Sequence, residues 1–521
     1  MVASVATGWR VAAAFVLALF AAAAIAFARH QAIWIDETTQ LFGLTLPFGQ
    51  QLDWLSGAVQ IASGVPPDRA APMSYWLGGI WAALFGLGEM QMRLFGIACL
   101  LAGAPAIWMA GLRLWGAAGA LFALAAIYLA PGMIVMAGEI RSYPLFFACS
   151  AWAVWALVEV LYRRPVSTRH LALLALFLTL ANYTHFFGLV LSGFLGLVLI
   201  AAFAIARRPV VPVLLAALAA LIASAGVVPF VMGALAVTGE GAVVTTTPVE
   251  ALRDTARLVF RLALHGSALV WLPVAGIALL SLGALAMRAL ICQFGAQARG
   301  TRIGLALLAL LPLALLVLPL LKLRIAGLDV LAPHYNLWMV PVAMLFLAGA
   351  FRRGPSPWAT VPALVLIATQ LASGALLLRH APLYTHGPGE WLAGLIDAPE
   401  ETLVIYESNG PWAQAYFPVQ ALQRGQVFQV LADPLAPARQ ITPEGFRPLP
   451  EEFDPAGFKR VLMVRTRTLS SMDLARLLKT RDASCGIAAM APPPGLGTGP
   501  TTDRSYCAFA AARVTDIRPV E

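Results

Sequence analysis

Two adjacent carboxylates follow the first long apolar segment of the chain. Asp36 and Glu37 stand in the stretch Trp34-Ile35-Asp36-Glu37-Thr38. Charged groups at a membrane boundary cost free energy and are commonly retained for a function. Neighbouring side chains point in different directions on most backbones, so we expect the two acids to have different roles, one of them as a general base toward an incoming hydroxyl group. The structural alternative is that Asp36 caps a short helix that begins at Glu37.

Two further polar groups interrupt apolar segments. Glu139 and Arg141 lie in the stretch 138–144, and they could simply pair with each other. Tyr183 and His185 lie in the stretch 182–187, where a lone histidine at a helix end is commonly a hydrogen-bonding boundary residue. The alternative for both groups is substrate binding or catalysis, which their residue types allow.

A fourth polar group contains cations. Lys322 and Arg324 precede His334 and Tyr335 in a stretch that separates two apolar segments. Arginine and lysine side chains bind phosphate through charge-assisted hydrogen bonds, so this stretch could hold a phosphate or pyrophosphate. The alternative is a surface loop that touches lipid headgroups.

The composition indicates a membrane protein. Of the 521 residues, 60% are hydrophobic and only 12% are charged, against about 25% charged residues in soluble domains. This excludes an ordinary cytosolic enzyme, a disordered protein and a collagen-like fibre. The net charge is +9, but the basic residues are almost all arginines in small groups between apolar segments. That pattern is typical of topology determinants and does not favour nucleic acid as a partner.

The apolar segments predict a polytopic α-helical membrane protein. A spanning helix needs roughly 20 mostly apolar residues. About eleven segments qualify, although the fifth is short. They lie at 11–28, 94–112, 117–137, 144–162, 171–183, 186–206, 210–232, 266–287, 303–321, 336–350 and 358–378.

The distribution of arginine predicts the orientation. With the N-terminus in the cytoplasm, the inside loops carry the arginine groups and contain no acidic residue, as the positive-inside rule expects. Residues 72–88 are apolar enough to span, but a span there would invert every later loop. We therefore expect a helix that lies in the outer interface.

A signal peptide cleaved after Ala26-Phe27-Ala28 is the alternative for the first segment, and it would remove a helix that this topology needs.

The chain divides near residue 380. Residues 1–379 form the expected transmembrane domain, with its first outer loop at about 29–93, and residues 380–521 read as a small extracytoplasmic α/β domain. Its candidate strands are 403–406, 427–431 and 460–464, and its candidate helices are 390–396, 412–417 and 471–478.

The five cysteines show no zinc-site spacing. Cys485 and Cys507 lie in the C-terminal domain. If this domain is in an oxidising periplasm, they could form a disulfide bond; two isolated thiols are the alternative.

The order of these motifs resembles the C-type (GT-C) glycosyltransferases that use polyprenyl-phosphate sugars. After the acidic pair come the segment that begins near Ala71-Pro72-Met73, then Met92-Arg93-Leu94-Phe95, Gly138–Leu145 and Tyr183–Gly188. The types it resembles are lipid A aminoarabinose transferases, lipopolysaccharide uronic acid transferases and protein O-mannosyltransferases. The resemblance covers residues 10–210 clearly and 320–350 faintly, and it does not specify the substrate.

The resemblance implies roles for individual residues. Asp36 matches the catalytic acid of the first outer loop, and Glu139 matches the acid of the second. Where the family often has an Arg-Tyr pair, this chain has His334-Tyr335. The expected donor-phosphate site is therefore made by Arg141, Lys322, Arg324, His334 and Tyr335.

These inferences lead to one expected reaction. A sugar moves from a polyprenyl phosphate to an envelope acceptor, which is lipid A, lipopolysaccharide core, another glycan or a protein, with inversion at the anomeric carbon. Asp36 is the expected general base, Glu37 and Glu139 are further catalytic candidates, and Tyr183 and His185 are substrate-binding candidates. The alternatives are a lipid-linked sugar flippase or other transporter, and a non-catalytic envelope scaffold.

The cofactor, partners and location follow from the same reading. A divalent cation such as Mg²⁺ or Mn²⁺, held by Asp36 and Glu139, is an option that the sequence leaves open. The expected partners are the lipid-linked donor, the envelope acceptor and membrane lipid. The expected location is the bacterial inner membrane, with the N-terminus in the cytoplasm and the C-terminal domain in the periplasm.

Overall fold

The structure is a computed structural model of the whole chain. It describes residues 2–31, 35–58, 68, 70–163, 165–238, 247, 249–250, 253, 271–291, 333–385, 398, 401–408, 426–431, 439–442, 445–448, 460–465, 485–490 and 513–519. The described residues form two compact units. The first contains Met1–Arg29, Gln51–Ala58 and Arg69–Leu378, and the second contains His30–Gln50, Val59–Asp68 and Arg379–Glu521.

Helices dominate the described part of the chain. They are α1 Val2–Ala28, α2 Ile35–Thr45, α3 Phe48–Leu55, α4 Met73–Phe85, α5 Glu89–Tyr128, α6 Pro131–Ala137, α7 Tyr143–Tyr162, α8 Thr168–Thr184, α9 Phe187–Ile205, α10 Val211–Ser224, α11 Val228–Thr238, α12 Leu272–Ile291, α13 Met339–Leu347 and α14 Pro357–Thr385. Two short 3₁₀ helices, Pro333–Asn336 and Ala348–Phe351, flank α13.

Seven segments within the described residues are helical, long and apolar enough to cross a membrane. They are Thr7–Ala28, Glu89–Tyr128, Tyr143–Tyr162, Phe187–Ile205, Val211–Leu235, Leu272–Ile291 and Pro357–Arg379. The structure therefore confirms a mostly helical protein with several potential spans. The total of about eleven stays a prediction, and the span expected at 303–321 lies outside the described residues.

Helix α5 contains a break that divides it in two. Gly116 has φ 78° and ψ −173° inside this 40-residue helix, a backbone conformation open to glycine and costly for other residues. A straight helix of this length would extend about 60 Å, about twice the hydrocarbon core of a bilayer. The break lies between the spans predicted at 94–112 and 117–137. A Cβ atom at Gly111 would lie 2.7 Å from Ala120 Cα, so the chain turns back closely on itself.

Small and aromatic residues pack the centre of the first unit. A Cβ atom at Gly103 of α5 would lie 3.1 Å from the ring of Phe147 on α7. Tyr128 is fully buried, donates a hydrogen bond to the Leu100 carbonyl at 2.7 Å, and meets the Phe20 ring of α1 edge-on at 5.0 Å. Close approach at small residues is how membrane helices gain packing energy, because lipid offers no hydrophobic driving force between them.

The first unit has two polar ends, which we name by one residue each. The Glu139 end holds the α6–α7 turn at residues 138–142, His185 after α8, and the 3₁₀ helix Pro333–Asn336. The Arg113 end holds a buried carboxylate between two arginines. Glu159 accepts from Arg113 at 3.2 Å and from Arg163 at 2.6 Å.

Helix α4 occupies the stretch that we expect in the outer interface. Its 13 residues, Met73–Phe85, extend about 20 Å, too short for the ~30 Å of a bilayer core. Ile80, Leu84 and Phe85 are exposed, which suits contact with lipid. The length of α4 therefore supports the prediction that this stretch does not cross the membrane.

The second unit contains a seven-stranded mixed sheet. Its strands are β1 Thr402–Ser408, β2 Gln426–Leu431, β3 Arg439–Thr442, β4 Gly445–Pro448, β5 Arg460–Arg465, β6 Cys485–Met490 and β7 Arg513–Pro519. The order is β4-β3-β2-β1-β5-β7-β6. Strand β1 pairs in parallel with β2 and β5, and the other pairings are antiparallel.

The sheet contains the strands that the sequence predicts. The segments 403–406, 427–431 and 460–464 lie within β1, β2 and β5. The helices predicted at 390–396, 412–417 and 471–478 lie outside the described residues, so the α/β assignment and the boundary near residue 380 stay predictions. The second unit also contains α2, which belongs to the first loop. The sequence does not predict that α2 groups with the C-terminal region.

Candidate functional site

Three of the predicted site residues meet at the Glu139 end. The ring of Tyr143, the first residue of α7, lies 5.8 Å from His185, 4.8 Å from His334 and 5.9 Å from Tyr335, measured between ring centroids. His185 and Tyr335 are 5.4 Å apart. Residues far apart in the sequence therefore converge on one buried tyrosine, for which the sequence alone indicates no role.

We name this group the aromatic cluster. Its members are Tyr143, Phe146, His185, Phe187, His334 and Tyr335. Tyr143 and Phe146 are buried and form its floor, whereas the two histidines, Phe187 and Tyr335 are half-buried. Half-buried aromatic faces with a few polar atoms among them are typical of ligand sites.

Local structure explains why the floor lies where it does. Pro144 stands in the first turn of α7, where its missing N–H costs nothing and its fixed φ favours a helix start. Helix α8 ends at Thr184, and His185 has extended backbone angles before α9 begins at Phe187. The His185 side chain therefore extends from the α8–α9 turn, and its ring stacks on Phe146 with centroids 5.1 Å apart.

The surroundings of His185 determine its protonation state. Burial, together with the nearby His334 and Arg141, lowers the pKa of His185 from its ordinary 6.5 to about 3. The Phe187 backbone N–H donates to His185 Nδ1 at 3.2 Å. A neutral imidazole that accepts at Nδ1 carries its proton on Nε2. His185 is therefore a neutral hydrogen-bond donor near pH 7.

Glu139 lies in a turn that is held by its backbone. The Glu139 side chain is buried, with 2% of its surface exposed. The backbone N–H groups of Gly138 and Glu139 donate to Val135 and Met136 at 3.2 and 3.3 Å. Arg141 follows two residues later and acts electrostatically on His185. The turn thus brings a carboxylate and a guanidinium to the same end as the aromatic cluster.

Arg93 also lies at this end, and the sequence alone indicates no role for it. It is fully buried in the first turns of α5 and donates to the Gly138 carbonyl at 2.7 Å. It also forms an ion pair with Glu89 at 2.8 Å. The Glu89-to-Arg93 spacing of four residues is a visible signal, but it indicates only a helix-surface pair and not a buried one.

Tyr183 contacts residues outside the aromatic cluster. Its hydroxyl donates to the Ala223 carbonyl at 3.1 Å, and its ring lies 5.9 Å from Trp76 of α4. The adjacent Asn182 donates to Ser224 at 2.8 Å. The described contacts of Tyr183 thus join α8 to α10 and α4, and none is with the aromatic cluster. Its role in substrate binding stays a prediction.

The first acidic pair lies on helix α2 in the second unit. Glu37 is fully buried, and the side chain of Asp36 is outside the described residues. The helix begins at Ile35, earlier than the start at Glu37 that the capping alternative requires. Asp36 therefore stands in the first helical turn, where a carboxylate is favoured by the helix dipole.

Most of the remaining predicted residues belong to the part of the chain that the structure does not describe. Lys322, Arg324 and Cys507 lie outside the described residues, and Cys485 is described only as the first residue of β6. The basic phosphate loop and the disulfide bond stay predictions. Within the described ranges, no group of three or more His, Cys, Asp and Glu side chains could hold a metal ion. A divalent cation held by Asp36 and Glu139 is not tested by this, because the Asp36 side chain is not described.

Comparison with solved structures identifies the fold. ArnT from Cupriavidus metallidurans in the apo state aligns with a TM-score of 0.58 and 14% identity, over 98% of each chain. The same protein bound to undecaprenyl phosphate aligns with a TM-score of 0.57 and 14% identity, again over 98% of each chain. No protein-family model matches the chain, and no curated protein matches its sequence. The chain has the fold of ArnT, and the GT-C fold expected from the sequence is confirmed.

Proposed function

We propose that this chain is an inner-membrane glycosyltransferase that moves a sugar from a polyprenyl phosphate to an envelope acceptor. The observation that carries the proposal is the convergence of Glu139, Arg141, His185 and the 3₁₀ helix Pro333–Asn336 at one end of a helical unit. The fold that surrounds them is shared over its length with ArnT, which was solved with undecaprenyl phosphate.

The chemistry of the Glu139 end suits such a donor. Tyr335 and Phe187 stack on each other with centroids 5.8 Å apart and are half-buried, so their exposed parts offer apolar surface to a sugar ring. His185 offers a neutral N–H for a sugar hydroxyl or a phosphate oxygen. Arg141 supplies positive charge, which favours a phosphate group. Polar groups that converge within an aromatic surround are typical of small-ligand sites.

The reaction balances without a redox partner. The acceptor oxygen attacks the anomeric carbon and forms the new glycosidic bond. The bond from that carbon to the phosphate oxygen breaks, and the polyprenyl phosphate leaves with the electron pair. The acceptor proton goes to a general base, for which we propose Asp36 on the grounds of the sequence resemblance. Direct displacement inverts the anomeric carbon. Glu139 orients the acceptor hydroxyl.

The test compares restored strains. A deletion strain is complemented with the wild type, Asp36→Asn or Asp53→Asn, and its envelope glycolipids and glycoproteins are compared by mass spectrometry. Asp53 is an exposed acid in α3, so its substitution is a matched acid-to-amide control. We expect a defined sugar mass with the wild type and Asp53→Asn. With Asp36→Asn, transfer should fall about 10²- to 10⁴-fold, the usual contribution of a general base.

Each other outcome has a clear meaning. If Asp36→Asn restores the same sugar mass at the wild-type level, Asp36 is not the base. If Asp36→Asn restores the sugar mass as fully as the wild type, and deletion makes the lipid-linked sugar accumulate on the cytoplasmic side, the flippase alternative replaces the transferase. If the C-terminal domain alone restores the wild-type envelope, the scaffold alternative replaces the transferase.

A further inference from the structure

Arg93 is a buried cation with an unusual set of partners. None of its surface is exposed. Nη1 donates to the Gly138 carbonyl at 2.7 Å, while Nε and Nη2 donate to Glu89 Oε1 at 3.1 and 2.8 Å. A buried charge costs free energy unless it is paired and hydrogen-bonded. Glu89 supplies an opposite charge, and Nη1 is directed at a backbone atom 45 residues away.

That backbone atom belongs to the peptide group that leads into Glu139. The Gly138 carbonyl and the Glu139 N–H lie on one planar peptide unit. Arg93 binds the carbonyl, and the Glu139 N–H donates to the Met136 carbonyl at 3.3 Å. Hydrogen bonds on both edges fix the orientation of this plane. The plane in turn sets the direction in which the Glu139 side chain leaves the backbone.

Close packing one turn along α5 reinforces this contact. A Cβ atom at Gly96 would lie 2.5 Å from the Ala137 carbonyl oxygen and 3.1 Å from that of Glu139. No larger residue fits there without moving the turn. Residues three apart lie on one face of a helix, so Gly96 brings α5 against the same turn that Arg93 holds.

We infer that Arg93 is a positioning residue for Glu139 and acts through the Gly138 carbonyl. The inference rests on the proposed function, because it gives Arg93 a part in transfer through Glu139. A guanidinium has donors in a fixed planar fork, so it can bind Glu89 and the carbonyl at once. The lysine ammonium is a compact point charge and does not reproduce this geometry.

The kinetic test uses the same substitution at two places on α5. Arg93→Lys keeps the charge but loses the fork, and Arg113→Lys does the same at the opposite end, where the partner is Glu159. Purified variants are assayed with undecaprenyl-phosphate-linked sugars and an envelope extract as acceptor. We expect kcat to fall about 10²-fold in Arg93→Lys, a loss that a 1 Å misplacement can cause, with the KM for the donor unchanged. Arg113→Lys should transfer at the wild-type rate.

A double variant separates positioning from general loss of structure. If Arg93 acts through Glu139, Arg93→Lys should cost nothing further once Glu139→Gln is present, because residues that act as a unit are not additive. Independent, additive losses would overturn the inference. So would a kcat for Arg93→Lys that equals the wild-type value.

Amide hydrogen exchange tests the inference without any activity. The peptide containing residues 136–143 should exchange faster in Arg93→Lys than in the wild type or in Arg113→Lys, because the Glu139 N–H loses its fixed plane. Unchanged exchange would overturn the positioning role. If the wild type transfers no sugar from any polyprenyl phosphate, the proposed function fails, and the exchange result still decides whether Arg93 holds the Glu139 turn.

Discussion

The two polar ends of the first unit use similar residues for different contacts. At the Arg113 end, two arginines close on one buried carboxylate, and Arg113 also lies over the Tyr162 ring at 4.3 Å. At the Glu139 end, Arg93 divides its donors between Glu89 and a backbone carbonyl. The first arrangement links charged side chains to each other. The second holds a turn that carries a carboxylate beside half-buried rings.

The contacts at the Arg113 end suit a role in stability, whereas the groups at the Glu139 end suit a role in chemistry. A carboxylate that accepts from two arginines has its charge neutralised by its own neighbours, as Glu159 has. Its protein partners lie on α5 and in the turn that follows α7, so the ion pairs join elements of the fold. The Glu139 end instead presents aromatic faces and an imidazole donor. We therefore expect substitutions at the Glu139 end to change turnover and substitutions at the Arg113 end to change stability.

Substitution of one histidine at each end should show this difference directly in turnover. His185→Phe keeps a ring that can stack on Phe146 but removes the N–H donor, and transfer should fall about 10- to 100-fold if the lost bond is to a charged oxygen. His170→Phe is the matched control, because His170 lies near the other end, 2.8 Å from Ser167 Oγ. Purified variants are compared by initial transfer rates. Equal rates for the two variants would remove the functional distinction between the ends.

A substitution at the Arg113 end should change stability rather than turnover. Glu159→Gln leaves Arg113 and Arg163 without their shared carboxylate, and the free energy of unfolding should fall by about 1–3 kcal/mol. The lower part of this range is favoured, since the arginines keep 34% and 45% of their side-chain surface exposed. Thermal unfolding in detergent measures the change, with exposed Asp53→Asn as the control. The rate per folded molecule should stay at the wild-type value, and a proportional loss of turnover would contradict the separation.

A pH dependence of stability is also expected, and it comes from His185. Its pKa is about 3 in the folded protein against an ordinary 6.5, so between these values the unfolded chain binds a proton that the folded protein does not. The contribution of His185 to stability is therefore complete above pH 6.5 and is lost as the pH falls toward 3. Between pH 7 and pH 5, the melting temperature of the wild type should fall further than that of His185→Phe. Parallel curves would show that His185 is not held neutral.

Much of the helical unit was predictable from the sequence. Long apolar segments with arginine groups between them predict membrane helices, because the bilayer admits few other structures. Two further features have local causes. Helix α4 does not span because it is short, and α5 breaks at Gly116 because glycine allows that backbone conformation. The seven described potential spans agree with this reading, although the full number of spans is untested.

The candidate site was predictable in part. Residue types identified Glu139, Arg141, His185, His334 and Tyr335 as polar groups among apolar segments. Nothing local in the sequence indicated Tyr143 as the residue that His185 and His334 share. The inclusion of α2 with the C-terminal sheet was likewise not predictable, since it depends on contacts between distant parts of the chain.

The sequence by itself determined the class of protein, the position of most helices and the residue types available for chemistry. These depend on composition and local periodicity, which each segment carries independently of the others. Only the tertiary structure decided which polar residues meet. Arg93 reaches the Gly138 carbonyl because Gly96 lets α5 pack against the turn before α7, and close packing of this kind is a property of two segments together.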